Sequence, residues 1–250
     1  MTRIAPPFAA LSCAILSGGL AASAAASPGY GLQPPGSFHE GEAVARHGER
    51  WLALRMRPGG AELLTTRIAV KRVHDALLDG EGEATGEAVS AIGLEDVTML
   101  LRGPGLKPGD VVVAETVAAG GDGDAPNHRL RLGQRQYRLG THCVAVAAND
   151  SAGQSTYACT IELNDGTHRQ SLVALSGYRS KATDDPRIQL GDDASPHLVF
   201  AGDLDRDGRL DLIFDTTDHY NLSRPVLFLS SAAGKGELVR AVATHDAVGC

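Results

Sequence analysis

The chain is 250 residues long, with 23 Lys and Arg against 30 Asp and Glu, a formal net charge of −7, 43% hydrophobic residues and 4% aromatic ones. That hydrophobic share is enough for a packed core, which excludes wholesale disorder, and the length fits one or two compact domains. An acidic balance with no Lys/Arg cluster argues against binding nucleic acid or anionic lipid through charge.

Residues 1–26 read as a secretory signal peptide. Arg3 follows the amino terminus, residues 8–16 form a short apolar run, and Ala22-Ser-Ala24 and Ala24-Ala-Ala26 both satisfy the small-x-small cleavage rule. Ser12, Ser17, Gly18 and Gly19 interrupt the run well short of a bilayer span. No later segment is apolar for long enough, so no transmembrane segment is expected after signal removal. A periplasmic or secreted location follows. Residues 27–45, rich in Pro and Gly, read as a flexible linker.

Residues 46–120 read as an N-terminal β-rich region. In Trp51-Leu-Ala-Leu-Arg-Met-Arg57 the alternation sets Leu52, Leu54 and Met56 on one face and Arg55 and Arg57 on the other. Pro58-Gly-Gly60 turns the chain into a second strand over 63–73, and further strands are expected at 97–101 and 111–117. Residues 84–92, bounded by Gly82 and Gly93, read as one short helix. His74 and Asp75 read as a strand end. Residues 120–127 form a polar break.

Residues 128–250 read as a C-terminal β-rich region. Hairpins are expected across Gly133, between 129–132 and 136–139, and across Asn164-Asp-Gly166, between 161–163 and 171–175. Cys143 and Cys159 flank the turn-rich Asn149-Asp-Ser-Ala-Gly-Gln154, so a hairpin there sets them nearly opposite each other. In an oxidising compartment a cross-strand disulfide is sterically reasonable, with two reduced core thiols as the alternative. Cys250 is left over and could compete for either partner or stay free. The fold class expected is mainly β, with antiparallel hairpins and meanders that could form two packed β subdomains.

The strongest chemical signal is Gly202-Asp-Leu-Asp-Arg-Asp-Gly-Arg-Leu-Asp-Leu-Ile-Phe-Asp215. Asp203, Asp205, Asp207 and Asp211 occupy positions 1, 3, 5 and 9 of a loop, with Gly208 at position 6 for the sharp turn. Four carboxylates so close repel one another unless a cation sits among them. The Arg209 carbonyl at position 7 adds a further oxygen, and an all-oxygen shell suits Ca²⁺ better than the smaller Mg²⁺. Strand-like runs flank the loop over 197–216, and position 12 is Phe214, which excludes an EF-hand. The run resembles the FG-GAP (VCBS-type) calcium-binding repeat, in which a strand–loop–strand hairpin forms part of a propeller blade. The resemblance implies metal ligands at Asp203, Asp205, Asp207, the Arg209 carbonyl and Asp211. A single good copy in 250 residues implies that the protein is not a complete propeller.

A weaker echo at Asp79, Glu81, Glu83 and Glu87 shares the spacing but has Ala84 at position 6, and reads as a disordered acidic loop. Nucleophile-elbow, P-loop, dinucleotide-binding and H-E-x-x-H patterns are absent. The resemblance and the missing catalytic motifs imply an exported, non-catalytic module with a structural Ca²⁺, binding an envelope protein or glycan. The alternative is a calcium-dependent hydrolase built near His219, drawing on Asp215, Asp218 and Tyr220.

Overall fold

The computed structural model describes residues 29–119, 126–147, 154–180 and 187–249. The expected signal segment, residues 120–125 of the expected polar break, residues 149–153 of the turn-rich stretch and Cys250 lie outside them. In chain order the strands are β1 (Gly31–Gln33), β2 (Gly36–Phe38), β3 (Arg50–Arg57), β4 (Gly60–Val73), β5 (Gly86–Ala91), β6 (Val97–Arg102), β7 (Gly109–Val113) and β8 (Glu115–Ala118). There follow β9 (Asn127–Leu132), β10 (Arg135–Ala147), β11 (Gln154–Asn164), β12 (Arg169–Ser180), β13 (Gln189–Leu190) and β14 (His197–Asp203). The last five are β15 (Asp211–Asp215), β16 (Leu222–Ser223), β17 (Pro225–Leu229), β18 (Arg240–Thr244) and β19 (Ala247–Val248). One 3₁₀ turn at Gly191–Asp193 is the only helical element among the described residues, and no helix there is long and apolar enough to cross a membrane.

Every strand pairing is antiparallel. The larger sheet runs β1-β6-β3-β4-β7-β14-β15-β17-β18, with β5 on the far half of the long β4 and β2 on β5. Its end strands β1 and β18 return into contact, so the sheet curls nearly into a barrel. A second sheet runs β13-β12-β11-β10-β9-β8 and forms a half-barrel. The architecture is therefore the expected hairpin-rich β fold without a propeller. The chain enters the larger sheet, builds the second, and returns: β14 pairs with β7 through Gly202 and Val113. N-terminal and C-terminal strands thus share one sheet.

That arrangement explains why β15 and β17 show no alternation. Leu212, Phe214, Val226 and Phe228 pack with Leu130, Leu139, Ile161 and Leu163 of the second sheet. Ile213, Leu227 and Leu229 point the other way, into the barrel with Leu32, Leu54 and Leu63. A strand buried on both faces reads as a continuous apolar run, as Leu212-Ile-Phe214 within β15 and Pro225–Leu229 do. Removing a fully buried aromatic there leaves a cavity, so Phe214→Ala is expected to cost about 3–5 kcal/mol in urea unfolding. A loss below about 1 kcal/mol would contradict burial of this strand on both sides.

Several expectations need correction. Residues 84–92 are not helical: β5 lies between β2 and β4, with Val89 and Ala91 buried, and ladder hydrogen bonds on both sides outweigh a short helix. The stretch 27–45 contains β1, fully buried, and β2, because pairing with β6 and β5 covers their backbones. Residues 111–117 form two strands, β7 and β8, in different sheets, with the Ala114 N–H donating to the Ala201 carbonyl at the switch (2.9 Å). Met56 is 44% exposed rather than core, whereas Trp51 and Ala53 on the opposite face are buried. Asp75 does follow a strand end. It caps the turn after β4 by accepting from the Leu77 and Leu78 N–H groups, and it meets His39 Nδ1 at 2.5 Å.

Cys143 and Cys159 are directly opposite in the β10–β11 register and form a disulfide with a Cα–Cα distance of 4.0 Å. The bridge joins the second sheet's core, where Cys159 is buried beside Leu175.

Candidate metal centre

The acidic loop joins β14 to β15, the central hairpin between the two cores. Its geometry follows from local residues. Gly202 lets β14 approach β7, since a Cβ there would meet the Val112 carbonyl oxygen at 2.4 Å. Gly208 turns the loop at φ +78°, a conformation that glycine alone adopts without strain. Arg206, also left-handed at φ +65°, pins the loop's outer edge by donating to the Asp110 and Lys107 carbonyls, each at 3.1 Å.

Asp203, Asp205 and Asp211 each bring one carboxylate oxygen within 4.8 Å of the others, an arrangement that can hold a metal ion. Asp203 and Asp211 are buried, Asp211 completely. Backbone donors fix their orientation. Asp203 accepts from the Asp207 and Gly208 N–H groups at 3.0 Å each. Asp211 accepts from the Leu204 and Ser230 N–H groups at 2.8 Å each. Burial pushes the Asp211 carboxyl up to about 7; the Asp205 charge adds to this, while the Ser230 and Leu204 donors oppose it. Asp203 is also raised, chiefly by burial and further by the Asp207 and Asp205 charges. The same field reaches Tyr30: burial raises its phenol, and Asp205 and Asp211 raise it further.

Asp207 stands at the lip. It pairs with the Arg209 guanidinium at 2.7 Å, and its carboxylate accepts from the Arg209 N–H at 2.8 Å. Ser230 Oγ bridges the two groups, 3.0 Å from Asp207 Oδ2 and 2.9 Å from Asp211 Oδ1. Ser231 Oγ hydrogen-bonds Asp205 Oδ2. Ser230 and Ser231 are the site residues that the spacing argument misses. They follow directly after β17, 19 or more positions away from the aspartates they face. A pair of serines after an apolar run carries no sequence signal that could have found them.

The echo at residues 79–87 does not converge. Asp79 accepts from the Thr85 hydroxyl and N–H and from the Asp75 N–H, and the Thr85 hydroxyl leads in holding its carboxyl down at about 2. Glu83 accepts from the Gly80 N–H, and Glu87 lies on β5 accepting from the Gly41 N–H. This is a hydrogen-bonded turn rather than a disordered loop.

Around His219 the carboxylates are engaged elsewhere. Asp215 accepts from the Thr217 and Arg224 N–H groups and from the Ser223 hydroxyl. Asp218 pairs with Arg224 at 3.0 Å and lies 3.7 Å from His219 Nε2, beyond hydrogen-bond reach. None of the four principal grooves among the described residues is lined by His219.

No protein-family model, curated protein or solved structure matches this chain. The site must be read from its own donors, which are carboxylate and hydroxyl oxygens, with no sulfur or imidazole nitrogen among them. Such a set favours a hard cation over zinc or copper.

Proposed function

We propose that this chain is an exported, non-catalytic binding module of the cell envelope, whose C-terminal hairpin is made rigid by calcium in an FG-GAP-type loop. The observation that carries this reading is the convergence of Asp203, Asp205 and Asp211 in a buried setting where their charges repel. A divalent cation offsets that repulsion. Calcium tolerates six to eight oxygens in irregular geometry, whereas magnesium demands a near-ideal octahedron and holds its waters. In this reading Asp207 and the Arg209 carbonyl complete the shell, and the Asp207 carboxylate exchanges the Arg209 guanidinium for the ion. Binding would tie β14, β15 and the end of β17 together at the seam of the two cores. The Cys143–Cys159 disulfide is compatible with a periplasmic or extracellular location. The partner would be an envelope protein or glycan.

The test compares the parent with Asp205→Ala/Asp207→Ala. Extracellular calcium sites have dissociation constants of about 10⁻⁴–10⁻³ M, so millimolar calcium should add about 1 kcal/mol to the parent. The variant should gain nothing while its far-UV spectrum stays that of the parent. Equal calcium responses would overturn the assignment of these ligands.

A further inference from the structure

The chain as a whole is acidic, yet its charge is not evenly spread. Strands β8 to β12, with their described connections, carry six arginines against three carboxylates. Their outward faces are set by the pleat. Leu130, Leu139, Ile161 and Leu163 point into the core, leaving Arg129, Arg131 and Arg138 exposed on the opposite side. Two adjoining grooves run over this face, of about 500 and 230 Å³, and share Arg138 and Asn164. The larger falls within the usual range for ligand sites.

The register makes this face unusual. Arg129 and Arg138 are direct cross-strand partners in the β9–β10 ladder. Like charges directly opposite on one face of a sheet are destabilising. Neighbouring arginines are neutralised: Arg131 pairs with Glu115, and Arg169 with Glu162 at 3.4 Å. Neither Arg129 nor Arg138 has a carboxylate partner among the described residues. An unrelieved pair in a groove is explained if an anion from outside relieves it.

We propose that the outer face of the six-stranded sheet, centred on Arg129 and Arg138, binds a carboxylated polysaccharide such as a uronic-acid chain. Guanidinium forks match carboxylates in two-point geometry. The same grooves also offer acceptors, Glu162, Asp165 and the amides of Asn164 and Gln136, which suit sugar hydroxyls. A bare polyphosphate has no hydroxyls to donate to those acceptors, whereas each sugar of a uronic-acid chain offers hydroxyls beside its carboxylate. Gly140 and Thr141 line the smaller groove beside Arg138. The inference deepens the binding-module reading by naming the partner's chemistry, and it lies on a different sheet from the metal loop.

The experiment is titration calorimetry of the protein with galacturonate oligosaccharides in EDTA, which separates glycan binding from calcium. The parent should bind, with affinity falling as salt rises, and neutral dextran should not. Arg129→Ala/Arg138→Ala should lose at least tenfold in affinity and melt no lower than the parent, because a repulsive pair has been removed. Arg138→Gln provides a milder second variant, with an intermediate loss. Asp205→Ala/Asp207→Ala should bind as the parent does, so failure of the calcium reading would leave this result standing. The proposal is overturned by a folded parent that does not bind. It is equally overturned if the arginine variants bind unchanged, or if poly-glutamate binds as well as the oligosaccharide, which would indicate an acidic peptide partner.

Discussion

Raising the pH from 5 to 8 in EDTA is expected to cost this protein about 2–4 kcal/mol of stability through Asp211 and Asp203. The sign follows from proton linkage. Asp211 titrates near 7 when folded, against an ordinary value of 3.8. Between those two values the folded state holds a proton that the unfolded state has released, so stability falls as pH rises and the penalty is complete only above about 7. Asp203, raised in the same direction, adds to the slope. Calcium at about 100 times its dissociation constant contributes about 2.7 kcal/mol and should offset most of the loss at pH 8. Calcium affinity should in turn weaken as pH falls below 7, approaching tenfold per unit, because Asp211 must give up its proton to bind. The readout is the difference between unfolding curves with and without calcium across this range. His39 and Asp75, whose pair has its own pH dependence, then cancel. Parallel pH profiles with and without calcium would contradict linkage between Asp211 and the ion.

Opening the Cys143–Cys159 bridge is expected to cost about 3 kcal/mol, the chain-entropy value for a closed loop of about 15 residues. The two cysteines are 16 positions apart and pair directly in the β10–β11 register. The bridge fills the inner face of the second sheet so tightly that a Cβ at Gly177 would meet Cys159 Sγ at 2.7 Å. Cys143→Ala/Cys159→Ala, followed by urea unfolding beside the oxidised and the reduced parent, separates the cross-link from side-chain packing. Reduced parent and double variant should both fall by about the same amount. A loss under about 1 kcal/mol in both would mean that the second sheet holds its hairpin without the cross-link. Because the bridge and the acidic loop lie on different sheets, the calcium response should survive reduction.

The contrast between these two sites shows what sequence can carry. Both cysteines sit on consecutive, directly paired strands, so their pairing is readable from local pattern. The aspartates are likewise local: alternate positions of one curled loop, with Gly208 at its bend. What escaped was non-local. Ser230 and Ser231 meet the same carboxylates from the end of β17, which the larger sheet brings alongside, and no spacing rule links them to residues 203–211. Alternation located β3, β4, β6, β9 and the start of β10. It fails where both faces are buried, as in Pro225–Leu229, and at Met56, which lies at the exposed end of β3 although Leu54 on the same face is core. The error at 84–92 has the opposite origin: a short segment with glycine at each end fits a helix, but β2 and β4 offer it a ladder on both sides. Residues 27–45 looked like a linker because Pro and Gly dominate them. Yet Gly31 is needed there, since a Cβ would meet Trp51 Cη2 at 2.7 Å.

Whether calcium in the β14–β15 loop stabilises the fold is tested by thermal melts of the protein in EDTA, in millimolar calcium and in millimolar magnesium. Calcium alone should raise the melting temperature, by about 2–4 °C for each kcal/mol of binding energy. No shift with calcium, or an equal shift with magnesium, would contradict a calcium site in this loop.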